Sequence, residues 1–365
     1  MRLLLMASAL ALAACATEPT AKLSSALVEE RSISQLQDDL AAGRSTSQAL
    51  VRAYLERIET IDRSGPQLNS VISVNPQALE QAQALDAERA AGRVRSPLHG
   101  VPILIKDNIE TKELPTTAGS LALAANATGR DAPMAARLRE AGAILLGKTN
   151  LSEWANFRST RSISGWSAVG GMVRNPYALD RNACGSSSGS GAATAASLGA
   201  ASIGTETSGS IVCPSSQNGL VGFKPTVGLV SRTHVIPISP TMDTPGPMTR
   251  SVRDAAILMS AIAGRDPADA LTAEADARKA DFVAALSPDA LKGKRLGVLR
   301  LGAGAHPDVD ALFERALGDL KAAGADVVEV EEGLDIAGVG AVTTLILQTQ
   351  FKAAINAYLA DAAPQ

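Results

Sequence analysis

Short, wholly apolar runs alternate along residues 31–365 with longer stretches of helical period, and this alternation narrows the fold more than any other feature. Val101-Pro-Ile-Leu-Ile-Lys106 reads as a buried strand, Pro133 to Ala141 as a helix, and Ile144-Leu145-Leu146 as the next strand. The rhythm continues with a strand at Ala200 to Thr205, a helix at Val252 to Ala263 and a strand at Arg295 to Leu299. A helix at Asp308 to Ala323 and a strand at Ala325 to Val330 follow. Upstream, Ser45-Thr46-Ser47-Gln48 places a cap ahead of Leu50, Tyr54, Ile58 and Ile61. Asn75-Pro76 opens a second helix that Gly92 closes. The pattern predicts an α/β domain with a mixed, largely central sheet and helices on both faces. With 46% hydrophobic and 19% charged residues, disorder is excluded as a global description.

Composition excludes several functions. Aromatics are only 3%, and Lys+Arg 34 against Asp+Glu 37 leaves −3 without long runs, so no nucleic-acid partner is expected. Cys15, Cys184 and Cys213 are too few for a disulfide framework, and no C-x-x-C or H-E-x-x-H occurs. Neither a metal nor an organic cofactor is implied. Cys184 and Cys213 read as small buried residues.

The first residues stand apart. Arg2 precedes an apolar run from Leu3 to Ala14, broken only by Ser8, which is too short to span a bilayer. This is the make-up of an export signal, and Leu12-Ala13-Ala14-Cys15 resembles the lipobox of bacterial lipoproteins. The expectation is a signal peptide over residues 1–14, lipidation at Cys15, a polar tether over 15–30 and the domain over 31–365. The chain would then be exported, periplasmic or anchored in the membrane by lipid.

From Ser159 to Gly209 serine and glycine crowd the chain, including Gly185-Ser-Ser-Ser-Gly-Ser-Gly191. The helical flank Ala192 to Leu198 puts this stretch inside the domain, where small residues allow close backbone approach to a ligand. Three motif matches fail on context. Gly142-Ala-Ile-Leu-Leu-Gly147-Lys148-Thr149 fits a phosphate loop, yet its middle residues are themselves the strand. Gly185-Ser-Ser-Ser-Gly189 fits a nucleophile elbow, but Asn175 to Cys184 does not read as a strand, and His234 and His306 lack an orienting acid. A serine–lysine enzyme of the penicillin-recognising type needs S-x-x-K, and none of the ten lysines has a serine three residues earlier.

Two Ser/Gly segments survive, Gly185 to Ser190 and Gly204-Thr-Glu-Thr-Ser-Gly-Ser-Ile211. With Val101 to Asn108 they resemble the amidase signature family. The resemblance runs from about Pro97 to Gly264 and includes Gly147 to Trp154, Arg174 to Tyr177, Gly222 to Leu229 and Asp243 to Met248. It implies an amidase with a serine nucleophile at Ser210, a bridging serine on a cis peptide at Ser186 and a buried base at Lys106. The spacing 210 − 186 = 24 matches that family.

The chemistry explains the residue types. A serine hydroxyl needs a base, and lysine can serve once desolvation strips its charge. The oxyanion would be held by the backbone amides of Thr207, Ser208 and Gly209, with Gly209 glycine so that no side chain crowds the approach. Ile211-Val-Cys-Pro214 lacks the arginine of the tRNA-linked branch and looks like the peptide-amidase branch, which deamidates C-terminal peptide amides. The substrate would be a small-molecule or peptide amide. The competing readings are an esterase on the same site and a non-catalytic exported lipoprotein that keeps the fold as a binding module. Family domains continue beyond the equivalent of Phe351 to Leu359, so the C-terminal part of the sheet is expected to be missing and an apolar edge exposed.

Overall fold

The computed structural model describes residues 25–300, 304, 306–330 and 336–362. The expected signal peptide, Cys15 and the first part of the tether lie outside the described residues. Packing starts earlier than residue 31. Val28 is buried in the main core with Leu27 against it, and the Glu30 N–H donates to Ser197 Oγ at 3.0 Å. Two adjacent apolar side chains draw this segment onto the domain.

The strands are β1 (Val71–Val74), β2 (Pro102–Lys106), β3 (Ile144–Thr149), β4 (Trp166–Ser167), β5 (Gly171–Met172), β6 (Arg174–Asn175), β7 (Ala178–Asn182), β8 (Ala201–Glu206), β9 (Val221–Gly222), β10 (Thr244–Thr249), β11 (Arg295–Val298) and β12 (Asp326–Glu329). Six of them form one sheet in the order β1-β3-β2-β8-β10-β9. β2 runs parallel to β3 and to β8, and the outer pairings are antiparallel, so the sheet is mixed. Every residue of β2, β3 and β8 is buried, which is why these strands read as continuous apolar or small-residue runs. Helices flank the sheet, as the alternation predicts.

Helix boundaries follow local capping. The helix Ser47–Arg57 starts where Thr46 accepts the Ala49 N–H. The helix Ala78–Ala90 opens two residues later than Asn75-Pro76 suggests, because Asn75 Oδ1 accepts the Gln77 N–H and forms a turn ahead of it. Residues 175–184, not expected to contain a strand, carry β7, which pairs with β6 in an exposed two-stranded ribbon outside the main sheet. The elbow reading still fails, since no core strand feeds Gly185.

The helix Ser188–Ala195 begins earlier than the Ala-rich run and is buried throughout. Its glycines are steric necessities. A Cβ on Gly189 would lie 2.2 Å from Ser70 O and 2.6 Å from Asn150 N, and one on Gly204 of the facing strand would lie 2.8 Å from Ser187 Oγ. Only a small-residue helix can sit this close to the sheet. β11 and β12 form a separate parallel pair next to the helix Pro307–Ala322. On that helix and on the helix Ile336–Ala362, Val309, Leu312, Val339, Val342 and Leu345 are exposed.

Cys184 and Cys213 correct the sequence reading. They are half-buried and joined by a disulfide, with Cα atoms 6.0 Å apart. Cysteines 29 residues apart in sequence gave no sign of pairing, since sequence spacing does not determine which thiols meet. Closing a loop of this length stabilises the fold by about 3–4 kcal/mol in the chain-entropy account.

Candidate active site

Parallel strands β2 and β8 end side by side, and their C-terminal ends bring Lys106 and Thr205 together. Lys106, the last residue of β2, is fully buried. Its Nζ lies 2.9 Å from Ser186 Oγ, 2.9 Å from Thr205 Oγ1 and 3.2 Å from Thr205 O. Burial pushes its pKa down to about 7, against the pull of the Asp243 and Glu206 carboxylates. Near neutrality the amine therefore loses its charge readily.

Ser186 follows a cis peptide bond from Gly185 and is fully buried. Its carbonyl accepts the Ser152 N–H at 3.0 Å. The next residue fixes the neighbourhood: the Ser187 N–H donates to Ser210 O at 3.1 Å, and Ser187 Oγ bonds both the N–H and the carbonyl of Thr205. The two Ser/Gly segments thus meet directly over the ends of β2 and β8. Ser210 is 7% exposed, and no side-chain hydrogen bond is formed by its Oγ among the described residues. Lys106 and Ser186 are in contact. A hydroxyl bond between Ser186 and Ser210 is not formed.

The turn from Thr207 to Gly209 differs from the expectation at one amide. The Gly209 N–H donates to Glu206 Oε1 at 2.8 Å and is not available to a ligand. Glu206 Oε2 also accepts the N–H groups of Ile211 at 2.7 Å and Val212 at 3.0 Å, so one carboxylate organises the whole turn around Ser210. A Cβ on Gly209 would meet no protein atom within 4 Å, so the protein's own packing leaves that side of the turn open. Its φ of 86° is a left-handed conformation that also favours glycine. The Thr207 and Ser208 amides remain without an intramolecular partner among the described residues.

Several supporting groups escaped the sequence reading. Asn108 Nδ2 donates to Thr205 Oγ1 at 2.9 Å. Asp243 accepts from Thr207 Oγ1 and from the N–H groups of Ile238 and Ser239, and burial raises its pKa. Ser186, Asn108, Thr205, Thr207 and Asp243 line a narrow cavity that Ala155 and Pro245 help to close. Glu206 had a legible signal: it is a lone acid four residues before Ser210 in an otherwise uncharged segment.

Lys148, the lysine of the phosphate-loop decoy, is also fully buried and pairs with Asp107 at 3.2 Å. It donates to Ile109 O at 2.7 Å and Thr116 Oγ1 at 2.8 Å. Asp107 therefore belongs to Lys148 and not to its chain neighbour Lys106. Among the described residues no cluster of His, Cys, Asp and Glu could hold a metal ion.

Several known proteins similar to this chain bear the name amidase. An amidase-named protein of Arthroderma benhamiae is 44% identical over 326 residues, covering 82% of this chain and 55% of that protein. A probable amidase of Arabidopsis thaliana is 42% identical over 345 residues, covering 92% of this chain and 65% of that protein. The chain spans between half and two thirds of the length of such curated relatives. The solved structure of native peptide amidase from Stenotrophomonas maltophilia is similar at a TM-score of 0.89 and 50% identity, over 92% of this chain and 68% of that one. The Amidase family model matches residues 49–361, and the chain belongs to that family.

Proposed function

We propose that this chain carries the catalytic centre of an amidase that cleaves a carboxamide C–N bond to a carboxylate and ammonia or an amine. Ser210 is the nucleophile, Ser186 the relay and Lys106 the base. The observation that carries the reading is the fully buried Lys106 Nζ, 2.9 Å from Ser186 Oγ, with its pKa near 7.

A neutral amine has two N–H groups and one lone pair. The carbonyl and hydroxyl oxygens of Thr205 accept the two N–H groups, which leaves the lone pair to accept the Ser186 hydroxyl proton. The unbonded Ser210 side chain then turns to donate its proton to Ser186 Oγ as its oxygen attacks the amide carbon. The Ser186 proton passes to Lys106, which becomes an ammonium. The Thr207 and Ser208 N–H groups stabilise the oxyanion, each such donor being worth about 10²–10³ in rate. The proton returns from Lys106 through Ser186 to the leaving nitrogen, the C–N bond breaks, and an ester to Ser210 remains. Water attacks this ester by the same route, giving the carboxylate and free Ser210.

We further propose C-terminal peptide amides as the substrate class. The Gly209-Ser-Ile-Val-Cys-Pro214 segment and the 50% identity to a peptide amidase support this choice. Export as a lipoprotein through Cys15 also stands as a proposal. It is supported by Arg2 to Cys15 and by a disulfide of the kind that persists in oxidising compartments.

The test is ammonia release from small aliphatic, aryl and C-terminal peptide amides by the wild type, Ser210→Ala and Lys106→Ala. The expected result is release from peptide amides that falls at least about 10³-fold in each folded variant. Full turnover by Ser210→Ala would remove the nucleophile assignment. Ester cleavage without amide cleavage would favour the esterase.

A further inference from the structure

The disulfide begins two residues before Ser186 and ends three residues after Ser210. It therefore links covalently the two segments whose hydroxyls must exchange a proton. The links beside it are neutral hydrogen bonds: Ser187 N–H to Ser210 O at 3.1 Å, Ser187 Oγ to Thr205 O at 3.1 Å, Thr205 N–H to Ser187 Oγ at 3.2 Å, and Asn218 Nδ2 to Ala183 O at 3.0 Å. Such bonds contribute little individually.

Cys184 adds a second observation. Its φ is 59°, a left-handed conformation that a non-glycine residue adopts at a cost, and Asn182 Oδ1 accepts its N–H at 2.9 Å. The disulfide is therefore a covalent restraint on a strained residue that lies two positions before Ser186. Both cysteines are half-buried and within reach of a soluble reductant. Lys106 and Thr205 are also held by their own strand ladders, opposite Thr149 of β3 and Pro245 of β10.

We propose that the Cys184–Cys213 disulfide is a positioning clamp that aligns Ser186 with Ser210, and that its reduction by a dithiol lowers turnover while the sheet stays folded. This rests on the Lys106–Ser186–Ser210 assignment above. In the reduction, the dithiol supplies two electrons and two protons, the S–S bond breaks to two thiols, and the dithiol closes to its own disulfide. Neither cysteine touches the reacting atoms.

The experiment uses the full chain with Cys15→Ser, so that complete reduction exposes two thiols per chain. Dithiothreitol is titrated while free thiols, kcat and KM for ammonia release, and amide hydrogen exchange are followed. Misplacement of reacting groups by about 1 Å costs on the order of 10²-fold, so kcat should fall about 10- to 100-fold with KM within about threefold. Exchange over Gly185–Ser190 and Thr207–Cys213 should rise, while Ile103–Ile105 of β2 stays protected. The Cys184→Ser/Cys213→Ser variant should match the reduced protein and ignore dithiothreitol. Unchanged kcat and unchanged local exchange at two thiols per chain would overturn the clamp. So would a rise in exchange spread evenly over the sheet, which is the signature of a general staple. If Ser210→Ala keeps full turnover, the triad assignment fails separately, and the exchange data still decide the clamp.

Discussion

Burial sets the chemistry open to Lys106. Its nearest oxygens belong to Thr205 and Ser186, none of them a carboxylate, and Asp243 and Glu206 act only through space. Such an amine gives up its proton near pH 7, whereas an unfolded lysine keeps it to about 10.4. Between those values the unfolded chain binds more protons, so stability rises with pH, by up to about 1.4 kcal/mol per unit. Below about pH 7 both states are protonated and this slope vanishes. Urea midpoints from pH 7 to 10 should therefore climb more steeply in the wild type than in Lys106→Met, and parallel curves would contradict the burial argument. Glu206 is tested differently. Its carboxylate holds three N–H groups of the Ser210 turn, so Glu206→Ala should lower kcat about 10²-fold while leaving a folded protein. Unaltered kcat by steady-state assay would show that the turn does not need it. Lys106 and Ser186 were reached through the resemblance of their segments to the amidase signature family, since neither residue stands out from the strand and helix pattern alone. Thr205 and Asn108 were not, because only folding brings a strand-end threonine and an asparagine from the next turn onto the same amine.

At the level of elements, the buried Asp107–Lys148 pair locks the ends of β2 and β3 together. Burial raises the Asp107 pKa and lowers that of Lys148, each partner offsetting the other's cost. Removing one partner strands the other, so Asp107→Leu or Lys148→Met alone should destabilise by about 3–5 kcal/mol in urea unfolding, and the double variant by less than either. Additive losses would show that the pair is not coupled. The small-residue helix gives a sharper case. Gly189→Ala drives a Cβ into Ser70 O and Asn150 N, which are backbone atoms with no room to shift, so destabilisation should reach at least about 3 kcal/mol. Strands β2, β3 and β8 were legible as runs of small and apolar residues. β10 was not, because Thr-Pro-Gly-Pro-Met-Thr breaks every strand rule. It is tolerated because the Pro247 carbonyl faces β9, accepting the Phe223 N–H, so the absent N–H groups of Pro245 and Pro247 point the same way. There the partner strand is only two residues long, and few ladder bonds are lost.

Over the whole molecule, the domain combines a dry, over-determined sheet with a sparsely covered flank. Val339, Val342 and Leu345 lie at spacings of three along the helix Ile336–Ala362 and are each more than half exposed. An apolar stripe of this kind favours association. Val342→Glu with Leu345→Glu should thus reduce self-association in sedimentation velocity without changing turnover, and identical sedimentation of variant and wild type would contradict this. Fold class was legible because alternation of elements is a whole-chain pattern that local errors do not erase. The disulfide was not, since it depends on two loops meeting above the sheet.

The neutral amine can be observed directly. Selective ¹⁵Nζ-lysine labelling, with Lys106→Met to assign the resonance, follows the protonation of Lys106 against pH. The account predicts a midpoint near pH 7, matched by a rise in kcat/KM over the same range. A resonance that stays that of an ammonium up to pH 10, with turnover unchanged across that range, would contradict it.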